Sequence, residues 1–230
     1  MSFNPYPWSY SSLGLFEQCP YRFHQTRVEK IIPKSESIYA IEGKTIHKEI
    51  EEHYKSGAPY ETVPDDYKSL VSDEVEEPDI TESHFELELA VTKDLELTGY
   101  WDNDAWYRCV IDLCQYSPNT KTVFVKDWKT GKPDIYSRQL IANSLCAFAK
   151  YPEATKAKTK YIWLKYGSRT PGCVHREYSR SIADSFQDRV NKIEQALDSN
   201  QWPKNPSGLC KKYCDVYHCE HNGLGSGKEK

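Results

Sequence analysis

The stretch VFVKDWKTGK, Val123–Lys132, opens as a β-strand built for a core and then changes character. Val123, Phe124 and Val125 are followed by Asp127 and Lys129, where two more apolar residues would have been unremarkable. Side chains alternate along a strand, so Val123, Val125, Asp127 and Lys129 share one face. The preceding segment repeats the pattern: in CVIDLC, Cys109–Cys114, Asp112 sits inside an otherwise apolar run. With SPNTK between them as a hairpin turn, Asp112 and Asp127 are expected to lie side by side.

An unpaired buried carboxylate is costly, and two adjacent ones repel each other. A hard divalent cation, Mg2+ or Mn2+, relieves both problems, because such ions bind through one or two carboxylates plus water and phosphate. Lys129 could then orient or deprotonate a metal-bound water and offset phosphate charge. These three residues alone favour the plainer reading, an ion pair of Lys129 with either aspartate. Two neighbours bear on the choice. His47, in EGKTIHKEIEEHY, sits among apolar residues of a helix, and Glu88 lies in the strand region before Asp112. Gln139 opens a further helix ten residues after Lys129.

Outward from this centre, residues 9–28 read as two helical pieces, capped by Ser11 or Ser12 and bent at Pro20. A second helix runs through Ile38, Ile41, Ile46, Ile50 and Tyr54 and stops at Gly57. Four short strand-like segments follow between residues 84 and 128, expected as an antiparallel meander. Then come a helix capped by Asp134, two strands, and an amphipathic helix striped by Ile182, Phe186, Val190, Ile193 and Leu197. This order fits an α/β sheet packed by helices.

The chain has 230 residues, enough for one large domain, and a net charge of −4. That average hides an asymmetry. Residues 61–104 are acidic, with only Lys68 and Lys93 opposing, whereas residues 121–180 carry thirteen Lys and Arg against four acids. A basic half can follow a phosphate backbone even in an acidic protein, although solvated faces would read the same way. There is no apolar run of membrane-spanning length and no secretory leader pattern, so no membrane role is expected and a cytoplasmic location is.

Of eight cysteines, Cys109, Cys114, Cys146 and Cys173 stand singly in apolar segments and read as buried thiols. LCKKYCDVYHC, Leu209–Cys219, instead crowds Cys210, Cys214 and Cys219 together, which calls for a metal. His218 or His221 would complete a zinc site of three thiolates and one imidazole.

Taken together, these motifs resemble the PD-(D/E)xK nuclease superfamily over nearly the whole chain. The similarity is to the RecB-like exonuclease branch, which includes iron–sulfur CRISPR-associated and helicase-linked nucleases. His47 in GKTIH matches the metal-binding histidine of the first core helix, and Asp112 in VIDL the acid of the second motif. KDWKTG supplies Asp127 and Lys129 followed by Thr-Gly, and Gln139 in RQLIANS matches the helix motif. The chain departs from the pattern at Asn143, where a tyrosine is usual, and in lacking the eponymous proline.

The resemblance implies a restriction-endonuclease-like α/β fold, a mixed sheet flanked by helices, as a single domain over residues 1–222 with a flexible tail, 223–230. It implies a metal-dependent DNA exonuclease acting in recombination, repair or degradation. Asp112, Asp127, Lys129 and Gln139 would form the catalytic set. His47, Asp112, Asp127 and Glu88 would bind Mg2+ or Mn2+, and Lys132 and Arg138 would contact DNA. It also implies a 4Fe-4S cluster held by Cys19, Cys210, Cys214 and Cys219, stapling the two ends, with Zn2+ as the rival. The substrate would be single-stranded DNA or an end-resected duplex, with a helicase or recombination protein as a possible partner. A non-catalytic DNA-binding adaptor with a zinc site, and a structure-specific endonuclease, are the alternatives.

Overall fold

The computed structural model describes residues 6–32, 38–133 and 138–223. The expected cap Asp134 and residues 224–230 of the expected tail lie outside the described residues. The chain divides into two units, one of Met1–Pro7 and Ile38–Gln187, the other of Trp8–Ser37 and Asp188–Lys230.

The first unit is built on a six-stranded mixed sheet of order β2-β1-β3-β4-β5-β6. The strands are β1 (Glu82–Val91), β2 (Leu97–Thr98), β3 (Tyr107–Ser117), β4 (Thr122–Lys129), β5 (Lys156–Trp163) and β6 (Ser168–His175). All neighbours are antiparallel except β4 and β5, which are parallel. A parallel pair needs a long crossover, and helix α5 (Arg138–Lys150) supplies it. The order is not the expected meander. β2 is only two residues long and pairs with the outer edge of β1, so the eleven-residue β3 takes the other side of β1 along most of its length. The β3–β4 turn closes as the sequence predicts, with Lys121 N donating to Pro118 O and Lys121 at φ 47°.

Helices α3 (Ile38–Ser56) and α4 (Asp65–Val75) place Ile46, Ile50, Leu70 and Val71 against Phe85, Leu113, Trp128 and Ile162 of the sheet. Each such fully buried side chain contributes about 2 kcal/mol by area removed from water. Helix α5 buries Leu140 and every residue from 142 to 148. Glu49, on α3, accepts from the backbone N–H groups of Glu61, Thr62 and Val63 and so fixes the connection into α4.

The sheet face that carries Trp128 also buries charge. Lys126 is fully buried, with Nζ 2.9 Å from Glu77 Oε1 and 3.1 Å from Gln115 Oε1. Glu74, on α4, is nearly as buried and accepts from Lys160 Nζ at 2.6 Å and from Arg169 Nε. Burial opposes the Glu74 charge, yet Lys160, Arg169 and Lys126 hold its carboxyl below the usual glutamate range. A carboxyl lowered in the folded state stabilises above its unfolded pKa, and that contribution is lost as pH falls through the folded value. Glu74→Gln is therefore expected to cost about 3 kcal/mol at neutral pH, with the gap from wild type closing in acid. Urea unfolding across a pH series checks this, and a gap independent of pH would refute it.

The second unit contains α1 (Tyr10–Gln18), α2 (Pro20–Phe23), a π-helical turn at His24–Val28, and α7 (Cys210–Tyr213). Helix α6 (Ser179–Ser199) begins in the first unit and ends in the second. Ser9, rather than Ser11 or Ser12, caps α1, exchanging hydrogen bonds of 3.2 and 2.8 Å with Ser12. Pro20 starts α2, where its missing N–H costs nothing, and Cys19 stands in extended conformation between the helices. Phe16, Phe23, His24 and Trp202 form one aromatic cluster, with His24 stacked on Trp202 at 4.6 Å. Arg189 grips Glu17 through two contacts of 2.6 and 2.7 Å.

No described helix is long and apolar enough to cross a membrane. Cys109, Cys114 and Cys146 are buried as expected, and burial pushes the Cys114 thiol up to about 12. Cys173 is not buried; β6 pairs it with Lys158 on a part of the sheet face open to solvent.

Candidate active site

The β3–β4 ladder runs to Leu113 opposite Lys126, and the next step along both strands brings Asp112 beside Asp127. Asp112 Oδ2 accepts from Trp128 N at 2.8 Å, which fixes that carboxylate against β4. His47, on α3, reaches the same point from above. Its Nε2 donates to Trp128 O at 2.9 Å, so Nδ1 is the nitrogen turned toward the acids. Nδ1 stands 3.4 Å from Asp112 Oδ2 and 3.5 Å from Glu86 Oε1.

Glu86, on β1, is the acid that sequence reasoning missed. It adopts φ 48°, a left-handed backbone uncommon for a non-glycine residue. The paired positions Phe85–Leu113 and Leu87–Ile111 flank it, so the ladder steps over Glu86 opposite Asp112. Ligand atoms of His47, Glu86 and Asp112 lie within 4.8 Å of one another. Glu88 is exposed and outside this group.

Asp127 completes the cluster from β4. Its Oδ1 accepts from Gln139 Nε2 at 3.3 Å, so the first turn of α5 does meet the acid pair. Its Oδ2 is buried and paired with the Lys129 ammonium, Nζ standing 2.6 Å away. Lys129 also lies over the Tyr161 ring, 5.4 Å from its centroid.

Electrostatically, the site is short of positive charge. Burial and the nearby Asp127 push Asp112 up to about 7, against the pull of His47. Burial likewise raises Asp127, in spite of Lys129. Burial would lower His47, but Asp112, Glu86 and Asp127 outweigh it and take the imidazole up to about 9. Lys129 is raised on balance by Asp127 and Asp112, again against burial, and so stays an ammonium. Three carboxylates thus face one fixed cation and one imidazole. Oxygen-rich donors and one imidazole nitrogen, brought within 4.8 Å of one another, fit a hard divalent cation.

A family model described as the PD-(D/E)XK nuclease superfamily matches residues 7–219. This chain belongs to the PD-(D/E)XK nuclease superfamily. No protein of curated function matches it. Among solved structures, "Crystal structure of SSO0001" is similar at 14% identity, covering 96% of this chain and 89% of that chain, with a TM-score of 0.45. That likeness is too slight to argue from.

PD-(D/E)XK nucleases use divalent metals, and the His47–Glu86–Asp112 group has the donors to bind one. Gly43 brings α3 close to the end of β4, because a Cβ there would stand 3.3 Å from Thr130 Oγ1. Asn143, where the resemblance leads one to expect tyrosine, is buried and accepts from Tyr107 at 2.6 Å. Its side chain is thereby committed to the core. Lys132 and Arg138 are both exposed, on either side of the residues that lie outside the described set.

In the second unit, Cys19, Cys210, Cys214 and Cys219 are each half-buried and line one pocket. Arg22 Nε donates to Asp215 at 2.7 Å, tying the segment after Cys19 to the residue after Cys214. Backbone N–H groups of Arg22 and Ser207 point at the Cys19 and Cys210 sulfurs at 3.5 and 3.3 Å. His221 lines the same pocket, whereas His218 is engaged by Gln25 and Tyr21.

Proposed function

We propose that this nuclease is a metal-dependent DNA exonuclease of the RecB-like iron–sulfur branch, serving recombination, repair or DNA degradation. The observation that carries the reading is the convergence of His47, Glu86 and Asp112, with Asp127 and Lys129 adjoining. Held by these residues, Mg2+ or Mn2+ would activate water and stabilise charge on a phosphate. Lys129, kept protonated by its acidic neighbours, orients the attacking water and offsets phosphate charge rather than removing a proton. Gln139 steadies Asp127. Lys132 and Arg138, exposed beyond the end of β4, guide the strand.

The four cysteines hold a 4Fe-4S cluster that staples the two ends of the chain. That Cys19, Cys210, Cys214 and Cys219 line one pocket supports their ligating a single metal centre, with zinc as the rival.

End-labelled linear DNA and covalently closed circles, incubated with Mg2+, Mn2+ or EDTA, test the reading. Linear DNA is expected to shorten from an end while circles persist. Cutting of circles would replace the exonuclease with an endonuclease.

A further inference from the structure

The turn after β2 displays an aromatic side chain that the reaction at the acids does not use. Trp101 is 76% exposed, a costly position for the largest apolar side chain. The turn that carries it is pinned. Gly99 N donates to Asp102 Oδ2 at 2.9 Å, and Thr98 Oγ1 donates to Asp104 at 2.7 Å. A Cβ on Gly99 would stand 2.5 Å from Asp102 Oδ2, so a larger residue there would displace the carboxylate that Gly99 N holds. Arg108, on β3, lies 5.3 Å from the Trp101 ring centroid and 5.9 Å from that of Tyr100, and donates to Asp102 O at 3.1 Å. Trp101 and Tyr100 meet edge to face at 5.0 Å. The indole is held in place on one side and open to solvent on the other.

Its position relates it to the candidate active site. Arg108 and Asp112 are four residues apart on β3, roughly 13 Å along the strand. A nucleic-acid strand with one phosphate at the acids would bring a base to this turn within two or three nucleotides. The surroundings limit what could dock. Asp102, Asn103 and Asp104 are all exposed, so the turn repels a phosphate backbone, and only Leu97 adds exposed apolar surface in the hairpin. That is too small for the apolar centre of a protein interface, but it is the area of one base.

We propose that Trp101, braced by Arg108 and Tyr100, is a stacking platform for one unpaired nucleobase of the strand held at the acidic cluster. This rests on the nuclease reading above and narrows it, because a paired base inside a duplex has no free face to offer. The substrate is then a single strand or a frayed end.

The test compares wild type, Trp101→Ala and Trp101→Phe by fluorescence anisotropy on a labelled thymidine single strand, with Ca2+ replacing Mg2+. It includes strands carrying one abasic site at successive positions. Wild type is expected to lose affinity for the strand abasic at one position. Trp101→Ala is expected to bind the intact strand roughly ten- to hundredfold more weakly and to be indifferent to that abasic site, with Trp101→Phe restoring most of both. Wild type that cuts DNA with metal while Trp101→Ala matches it on every strand would overturn the platform and leave the nuclease standing. Wild type that neither binds nor cuts any DNA would overturn both. If Trp101→Ala abolished only self-association in sedimentation, the indole would be an interface between copies and the proposal would fall.

Discussion

Asp127→Asn is expected to lose at least about a thousandfold in DNA cleavage while remaining folded and, without metal, at least as stable as wild type. The activity loss follows from removing charge that organises a metal and from releasing Lys129 and Gln139, which converge on this carboxylate. The stability expectation comes from the same burial. An acid whose pKa is raised on folding binds its proton more tightly in the folded state, so ionising it at neutral pH costs stability. That cost builds as pH rises above the ordinary aspartate value, and a neutral isostere removes it. Divalent metal should reverse the order, because an ion bound only by the folded state stabilises by mass action. Thermal unfolding with and without Mg2+ checks both halves. A variant that unfolds early without metal would mean that Asp127 is structural, and its inactivity would then prove nothing.

Cys214→Ser carries the second large effect. If four thiolates hold a cluster, losing one is expected to empty it, and metal-ligand free energy is folding free energy, on the order of 10 kcal/mol for structural sites. Iron content and the visible charge-transfer band should disappear together, with poor solubility and a much lower Tm. Cys173→Ser provides the control, since that thiol is exposed and is not among the residues lining the pocket. Equal iron in wild type and Cys214→Ser would remove the cluster from the account. Stoichiometric zinc in place of iron would favour the rival site. The Arg22–Asp215 pair and the aromatic cluster around Trp202 belong to the same unit as the cysteines. These contacts give that unit order of its own, so the Cys214→Ser effect should exceed that of Arg22→Ala.

Much of this site was legible in the sequence, for physical reasons. A carboxylate inside an apolar strand stands out because burial makes it expensive, and this singled out Asp112 and Asp127. Period-two alternation placed Lys129 on the face of Asp127, and the hairpin turn set the register that joins the two acids. Glu86 was not legible. In HFELELAV, alternation treats Glu86 and Glu88 as equivalent, and Glu88 was the one singled out. What separates them is a reversal of φ at one residue, and no side-chain pattern encodes that. Lys126 escaped for a related reason. On a strand it reads as a solvent-facing lysine, and only α4, delivering Glu74 and leading to Glu77 from a distant part of the chain, makes its burial tolerable. The edge position of β2 and the division into two units depend on pairings between remote segments, which local periodicity does not carry.

The central claim is that a divalent cation works where His47, Glu86 and Asp112 converge. Its most direct test is cleavage of linear DNA by wild type, Glu86→Gln and Glu88→Gln, side by side in Mg2+ and in EDTA. Wild type and Glu88→Gln should cut only with metal, while Glu86→Gln should lose at least about a hundredfold. Cleavage by wild type in EDTA, or by Glu86→Gln at the wild-type rate, would contradict the account.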